Sequence, residues 1–332
     1  MKSPEKPKIL ITGGSGFIGT NLIEFLSKNE KSILNLDKSK PSNKQHIVFW
    51  KKCNIMNFNE LNNFFQKYEP THVVHLAART ETSSNLIEDY EENTKGTLNV
   101  IKAINNTSSI IKSVITSTQY VYRSLKNPLP LNDLDYMPHT VYGLSKKISE
   151  DYTRNYLKQG SWTIIRPTNI WGPWNYNYPN GLYKAIEKGL YFNPSKMTAY
   201  KSYGFVLNIV DQIFSILFAD LNITDSQVFY VGEEPMYSKK WVSQTYFHLR
   251  GSYPLSVPNF ILIIGAYFGD FLKYFGIKFP LTSLRLSNML ESYYVPIDKT
   301  INLFGLNFTD LDENLKITMK WYSNYKKEKY KY

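Results

Sequence analysis

The sequence predicts an α/β protein: a doubly wound parallel sheet with a smaller, mostly helical lobe towards its C-terminal end. Three observations carry the prediction. Strand-like and helix-like segments alternate from residue 8 to about residue 170, as they do where parallel strands are joined by right-handed crossovers. The first strand runs straight into Gly13-Gly-Ser-Gly-Phe-Ile-Gly19, a glycine turn that opens a helix. Reactive residue types gather at Ser117-Thr118 and at Tyr142-Gly-Leu-Ser-Lys146. These positions fall at the carboxyl end of the fifth strand and on the helix after it, where ligands bind in sheets of this kind.

Lys8–Thr12 is the first strand and residues 20–29 its helix. Gly13 permits the tight turn, Gly16 lets backbone approach a pyrophosphate, and Gly19 allows the helix to pack closely on the strand. The helix N-terminus then offers unpaired N–H groups and a partial positive charge to phosphates. The second strand, residues 32–36, ends at Asp37. A carboxylate there accepts hydrogen bonds from an adenosine ribose diol and repels a 2′-phosphate, which favours NAD(H) over NADP(H). Residues 46–52 read as a third strand with Cys53, Asn54 and Ile55 at its tip, and residues 57–68 as a helix capped by Asn57. Residues 71–76 read as the fourth strand, followed by Ala77 and Ala78, small enough for a flat nucleotide to pass. His75 reads as a satisfied strand-end histidine rather than a catalyst. A helix is expected over 86–106 and the fifth strand over 110–116; Pro128, Pro130 and Pro138 mark a loop roofing the space beyond Thr118.

Tyr142 and Lys146 lie one helical turn apart on one face. A lysine beside a phenol favours the phenolate and makes a better proton shuttle. Spacing alone is weak, because the same Tyr-x-x-x-Lys spacing recurs at 122/126, 274/278, 322/326 and 325/329 in a chain with 26 tyrosines. Position relative to the upstream strands is what singles out Tyr142. After residue 170 a helix is expected over 181–189, a helix over 211–220 and a strand over 227–231 that rejoins the sheet. The predicted division is residues 1–170 with 206–231 as the sheet domain, and 171–205 with 232–332 as the second lobe.

Composition excludes several classes. Hydrophobic content of 42% and charged content of 20% suit a soluble enzyme. A single cysteine rules out an intrachain disulfide. The histidines show no metal-ligand spacing and there is no Cys-x-x-Cys, so no metal is expected. The net charge of +11 comes from scattered lysines, and nucleic acid is not an expected partner. The polar start carries no signal-peptide pattern, so a cytoplasmic location is expected. The one long apolar stretch, residues 260–277, holds Asp270 and Lys273; a buried helix is expected there, without stable membrane insertion.

Taken together, these residues resemble the extended short-chain dehydrogenase/reductase family in its NAD-dependent nucleotide-sugar epimerase/dehydratase branch, with a Rossmann-type sheet. The matching segments are Thr-Gly-Gly-Ser-Gly-Phe-Ile-Gly at 12–19, Asp37, His-Leu-Ala-Ala at 75–78, Asn-x-x-Gly-Thr at 93–97, Ser-Thr-x-x-Val-Tyr at 117–122, Tyr-Gly-x-Ser-Lys at 142–146 and Arg-Pro-Thr-Asn-Ile-Trp-Gly-Pro at 166–173. The resemblance implies that Tyr142 exchanges a proton with the sugar 4-hydroxyl, that Lys146 lowers its pKa and holds the nicotinamide ribose, and that Thr118 bonds the same oxygen. It implies a dinucleotide lined by Gly13, Gly16, Phe17, Ile18, Asp37, Asn54, Ile55, Leu76 and Ala78, with Asn93 in the cofactor-side network and Asn169 on a nucleoside-diphosphate sugar. It also implies a homodimer through the helices that carry Asn93 and Tyr142.

Three departures bear on the reaction. Sugar 4,6-dehydratases carry an Asp-Glu pair directly after the threonine, where this chain has Gln119-Tyr120. Gly204 falls near the arginine that many relatives place on the substrate pyrophosphate, with Lys201 a candidate substitute. Arg123 replaces the usual glycine after Val-Tyr. The expected activity is transient oxidation and re-reduction at C4 of a nucleoside-diphosphate hexose. Alternatives are a 4-keto-sugar reductase, a dehydratase or decarboxylase of the same fold, or a non-catalytic dinucleotide-binding protein.

Overall fold

The computed structural model describes residues 6–28, 32–122, 130, 132–277, 279, 281–305 and 309–329. Arg123, Lys126, Pro128 and Lys278 lie outside the described residues. Seven strands form one sheet. They are β1 (Lys8–Thr12), β2 (Ser32–Asp37), β3 (Trp50–Lys52), β4 (His72–His75), β5 (Lys112–Thr116), β6 (Ser161–Pro167) and a last strand, Gln227–Val231. Their order is last strand-β6-β5-β4-β1-β2-β3, with every pairing parallel. The order reverses between β1 and β4, and the crevice above such a reversal is where this architecture takes its ligand.

The pleat sorts the core into two layers. Ile9 and Ile11 of β1 face α1 (Phe17–Lys28) and the helix Val206–Phe218, whose Ile209, Ile213 and Ile216 are fully buried. Leu10 faces the other way, onto Leu61 and Phe65 of α2 (Phe58–Tyr68) and Val100, Ile101 and Ile104 of α3 (Thr97–Asn105). Asn57 caps α2 by accepting the Glu60 N–H, as expected. α4 (Val141–Tyr156) follows on the same side and is pinned to the sheet by the buried ion pair of Glu150 with Arg166 on β6, 2.8 Å.

Local structure departs from expectation in three places. Residues 44–49 form a 3₁₀ turn rather than the start of a strand, because the Asn43 side chain accepts the Gln45 N–H and buried His46 bonds Glu24 at 3.1 Å; only Trp50–Lys52 pairs with β2. The helix expected over 86–106 is broken into a 3₁₀ turn, a π-turn at Glu92–Gly96 and α3. The apolar stretch after residue 259 does form a helix, Asn259–Tyr274, yet only Leu262, Ala266 and Gly269 of it are buried. The expectation of a buried helix there is overturned, because the next helix, Ser283–Leu290, covers one face and leaves the other bare. The remainder of the C-terminal region is mostly helical, with the helix Leu311–Lys329 packed on Ser238–Arg250. Among the described residues no helix is long and apolar enough to cross a membrane.

Candidate active site

The glycine turn between β1 and α1 is held by the Gly13 N–H, which donates to Leu36 O at 2.9 Å. Gly13 has φ +74°, and a Cβ there would stand 2.5 Å from Ala77 N. The turn therefore lies directly against the loop after β4, as a backbone cradle for phosphate requires. Beside it opens a cleft lined by Gly13, Asp37, Asn54, Ile55 and Ala78 of the predicted set, together with Leu36, Lys38, Cys53, Ala77 and Glu92. The lining suits the adenosine end of a dinucleotide, with a carboxylate for a ribose diol and a glycine face that a Cβ on Gly13 would fill. Asp37 accepts the Ser15 N–H (3.0 Å) and the Ser39 N–H (2.8 Å), which orients the carboxylate along the rim. Burial raises its pKa against the pull of those two amides. Lys38 is engaged by Glu92, so the cation nearest Asp37 in sequence is turned across the mouth. Cys53 is buried, and burial pushes its thiol up to about 12.

The reactive residues meet at the end of β5. Thr118 is extended and its side chain accepts the Tyr120 N–H, which starts a short turn at Gln119–Val121. Thr140 caps α4 by accepting the Gly143 N–H at 2.9 Å. A Cβ on Gly143 would collide with the Tyr120 carbonyl, and this approach brings Tyr142 within hydrogen-bonding reach of Thr118. Tyr142 and Lys146 are both buried. The Lys146 ammonium donates to Thr116 O at 2.6 Å. Burial pushes it down to about 8, against the attraction of Glu150. Burial also pushes the Tyr142 phenol up to about 12, opposed by its bond to Thr118 and helped by Tyr120 and Tyr90. In the protein alone, desolvation rather than the lysine sets this phenol, opposite to the direction expected from spacing.

Other predicted residues are placed as follows. Asn93 is spent within the protein: it accepts the Arg79 N–H (2.8 Å) and donates to Arg79 O (3.0 Å) and Ser145 Oγ (2.9 Å), tying the loop after β4 to α4. His75 bonds Thr12 at 2.6 Å and Thr97 at 3.0 Å, and burial, aided by Lys146, drives its pKa down to about 3; it is the satisfied histidine expected. Asn169 accepts from Gln119 Nε2 at 3.0 Å and donates to Ser202 O at 3.2 Å, which ties the turn after β5 to the segment before Tyr203. Lys201 donates to Asn288 O, and Gly204 sits in a strand pair where a Cβ would press on Ile209 and Ile170. Gly16, Phe17, Ile18 and Leu76 lie on the turn, the start of α1 and the end of β4, and are not part of the cleft lining.

Residues not singled out from sequence complete the site. Tyr120, at 6.3 Å between ring centroids, packs edge-on against Tyr142. Tyr293 packs at a tilt against Tyr120, 5.5 Å between ring centroids, and donates to Gln119 O at 2.7 Å. His139 bridges the two rings. Only aromatic abundance signals Tyr293 in the sequence, since it lies far from any motif.

A profile described as the NAD dependent epimerase/dehydratase family matches residues 9–192. The chain belongs to that family. This epimerase/dehydratase is therefore an enzyme of NAD chemistry, in accord with Asp37 at the tip of β2. It is 27% identical over 286 residues to the N-acetyl-alpha-D-glucosaminyl-diphospho-ditrans,octacis-undecaprenol 4-epimerase of Escherichia coli O157:H7, covering 84% of each chain. It is 28% identical over 182 residues to the UDP-glucuronate 4-epimerase of Thermodesulfobacterium geofontis (strain OPF15), a match spanning 49% of this chain and 56% of that one. The Haemophilus influenzae dTDP-glucose 4,6-dehydratase is 30% identical over 206 residues, with 54% of this chain and 58% of the relative covered. Among solved structures, the Bordetella bronchiseptica enzyme WbmG in complex with NAD and UDP shares the fold at TM-score 0.73 and 22% identity, over 97% of this chain and 96% of that one.

Proposed function

We propose that this enzyme is an NAD-dependent epimerase that inverts C4 of a diphosphate-linked hexose, with a nucleoside-diphosphate sugar as the first substrate class to test. The observation that carries this is the meeting of Thr118 and Tyr142 beside the dinucleotide cleft, with Gln119 and Tyr120 next to them. Tyr142 exchanges the proton of the sugar 4-hydroxyl, and Thr118 fixes the oxygen it acts on. Lys146, one turn along α4, holds the ribose next to the nicotinamide. When bound, NAD supplies the hydride acceptor. Dehydration would need an acid and a base at the two positions after Thr118; an amide and a phenol stand there, and burial holds the Tyr120 phenol above its ordinary value. Asn169 bears on the sugar nucleotide and Lys201 is the candidate for its pyrophosphate. The proposal includes a homodimer through the outer faces of α3 and α4, where Leu144 and Tyr156 are exposed.

A second reading is reduction of a 4-keto sugar, favoured by the Tyr142 phenol that burial keeps protonated and thus ready to donate. Cofactor balance separates the two, since a reductase consumes one reduced cofactor per turnover and an epimerase none. The test of the proton role is Tyr142→Phe. It removes one oxygen and keeps the ring, so fold and NAD affinity should survive while turnover falls by at least about 10²–10⁴. Retention of more than about a tenth of turnover on the true substrate would exclude Tyr142 as the acid–base group.

A further inference from the structure

Asp37, Lys38 and Glu92 line the cofactor cleft together. Lys38, just past the tip of β2, and Glu92, at the start of the π-turn Glu92–Gly96, form an ion pair across its mouth. The turn that delivers Glu92 is firmly anchored. It is wound with a residue to spare, the Gly96 N–H donating to Glu91 O at 2.9 Å. Asn93 is fully buried and bonded to Arg79 and Ser145. A Cβ on Gly96 would stand 2.7 Å from Ile55 Cδ1, so the turn lies against the cleft wall. The neighbouring carboxylate, Glu91, is taken up by Lys95 one turn on. Burial is the largest influence on the Asp37 carboxylate, but Lys38 also pulls its pKa down and Glu92 pushes it up, so both charges act there. Lys40, the next cation after Lys38, is exposed and outside the lining.

We propose that Glu92 is a second determinant of NAD over NADP, keeping the Lys38 ammonium from a 2′-phosphate, an inference that rests on Asp37 taking the adenosine ribose and on no particular sugar reaction. Charge counting gives its sense. Asp37 and Lys38 alone make a neutral rim with a free cation. An ammonium on a flexible four-carbon stem binds phosphate as a point charge. Such a cation offsets the repulsion from Asp37 and blurs the discrimination. Glu92 changes this in two ways. Two carboxylates and one ammonium leave the rim at net −1, and the ammonium is already engaged. A 2′-phosphate of charge about −1.5 to −2 then meets repulsion and must displace a carboxylate to reach the cation. The ribose hydroxyl of NAD is uncharged and meets neither obstacle. An exposed pair of this kind adds little to stability. Its effect lies in which nucleotide the rim admits.

The test is calorimetric titration of the full chain with NAD and with NADP, at about 0.05 M salt so that the rim charges are little screened. Glu92→Gln keeps the side-chain shape, removes one charge and frees the ammonium. The ratio of NAD to NADP affinity should narrow by at least about tenfold, chiefly through tighter NADP. Adding Lys38→Ala to that variant restores the net charge of the rim without the cation, and the ratio should return to within about threefold of the wild-type value. Circular dichroism measures folding throughout, and Glu92→Ser replaces Glu92→Gln should the latter not fold. Asp37→Ser is the control for the ribose. An unchanged ratio in that variant overturns the placement of Asp37 and the role of Glu92 with it. A ratio narrowed by Asp37→Ser but unchanged by Glu92→Gln overturns the role of Glu92 alone. So does a gain of NADP affinity that survives Lys38→Ala in full, because Glu92 then acts without the ammonium.

Discussion

Gly13→Ala tests whether crowding against the loop after β4 fixes the cofactor turn. Alanine at this position is penalised twice. A side chain at φ +74° costs about 1–2 kcal/mol of left-handed strain. The added Cβ also falls 2.5 Å from Ala77 N and 2.6 Å from Ala77 Cα, backbone atoms that cannot rotate aside. Overpacking of that sort costs about 1–3 kcal/mol, for a total of about 2–5 kcal/mol. Gly251 is an internal comparison: it ends the helix Ser238–Arg250 at φ +68°, and a Cβ there meets nothing within 4 Å. Gly251→Ala should therefore carry the left-handed penalty alone. Urea unfolding of both variants should show Gly13→Ala about 1–3 kcal/mol less stable than Gly251→Ala. Calorimetric titration should show NAD bound at least about tenfold more weakly by Gly13→Ala, equivalent to about 1.4 kcal/mol of the strain reaching the site. Equal unfolding midpoints with unchanged NAD affinity would refute the steric account of the turn.

Two further expectations come from charges. Asp37→Ser removes the carboxylate that repels a 2′-phosphate, so the ratio of NAD to NADP affinity should narrow by at least about tenfold; equal affinities in the wild type would contradict the role. Glu150 is pushed up by burial but held below its ordinary 4.5 overall by the Arg166 charge and its hydrogen bonds. Its contribution is thus present above about pH 4.5 and lost as pH falls through the lower folded value. Glu150→Gln leaves Arg166 buried without its counter-ion, so stability at pH 7 should fall by about 3–5 kcal/mol and the acid limb of the unfolding profile should flatten. An unchanged acid limb would show that the pair does not tie α4 to β6.

Much of the sheet domain was legible because its determinants are local. Gly13 and Asp37 are read from a turn and a strand tip, and the cleft is built around them. Thr118 and Tyr142 were placed together by strand-end logic, which needs only the order of elements. What was not legible depends on contacts distant in sequence. The Tyr142 pKa is set by burial among Tyr90 and Tyr120, which no spacing rule reports. Asn93 sits in a motif, but its three bonds go to Arg79 and Ser145. The short turn at residues 44–49 is not legible because a side-chain cap from Asn43 outweighs the strand-like character of Ile47–Val48. The bare face of the helix at 259–274 escaped a rule that assigns apolar residues to the interior, since hydropathy carries no information about what covers a helix.

The sheet order has a consequence for how the chain is made. The last strand pairs with β6 but is synthesised only after the excursion through residues 169–226. One layer of the core needs Ile209, Ile213 and Ile216 from the helix that precedes that strand. Until they leave the ribosome, α1 is the only helix of that layer in place, and Val114 and Ile165 lack the helix that joins them in the core. At about 5–20 residues per second, the roughly sixty residues between β6 and the end of the last strand take about 3–12 s. During that interval the nascent sheet has a half-covered apolar face and an unpaired edge at β6, a natural point for chaperone engagement. Pulse-chase proteolysis should find the first 200 residues protease-sensitive until residue 231 has emerged.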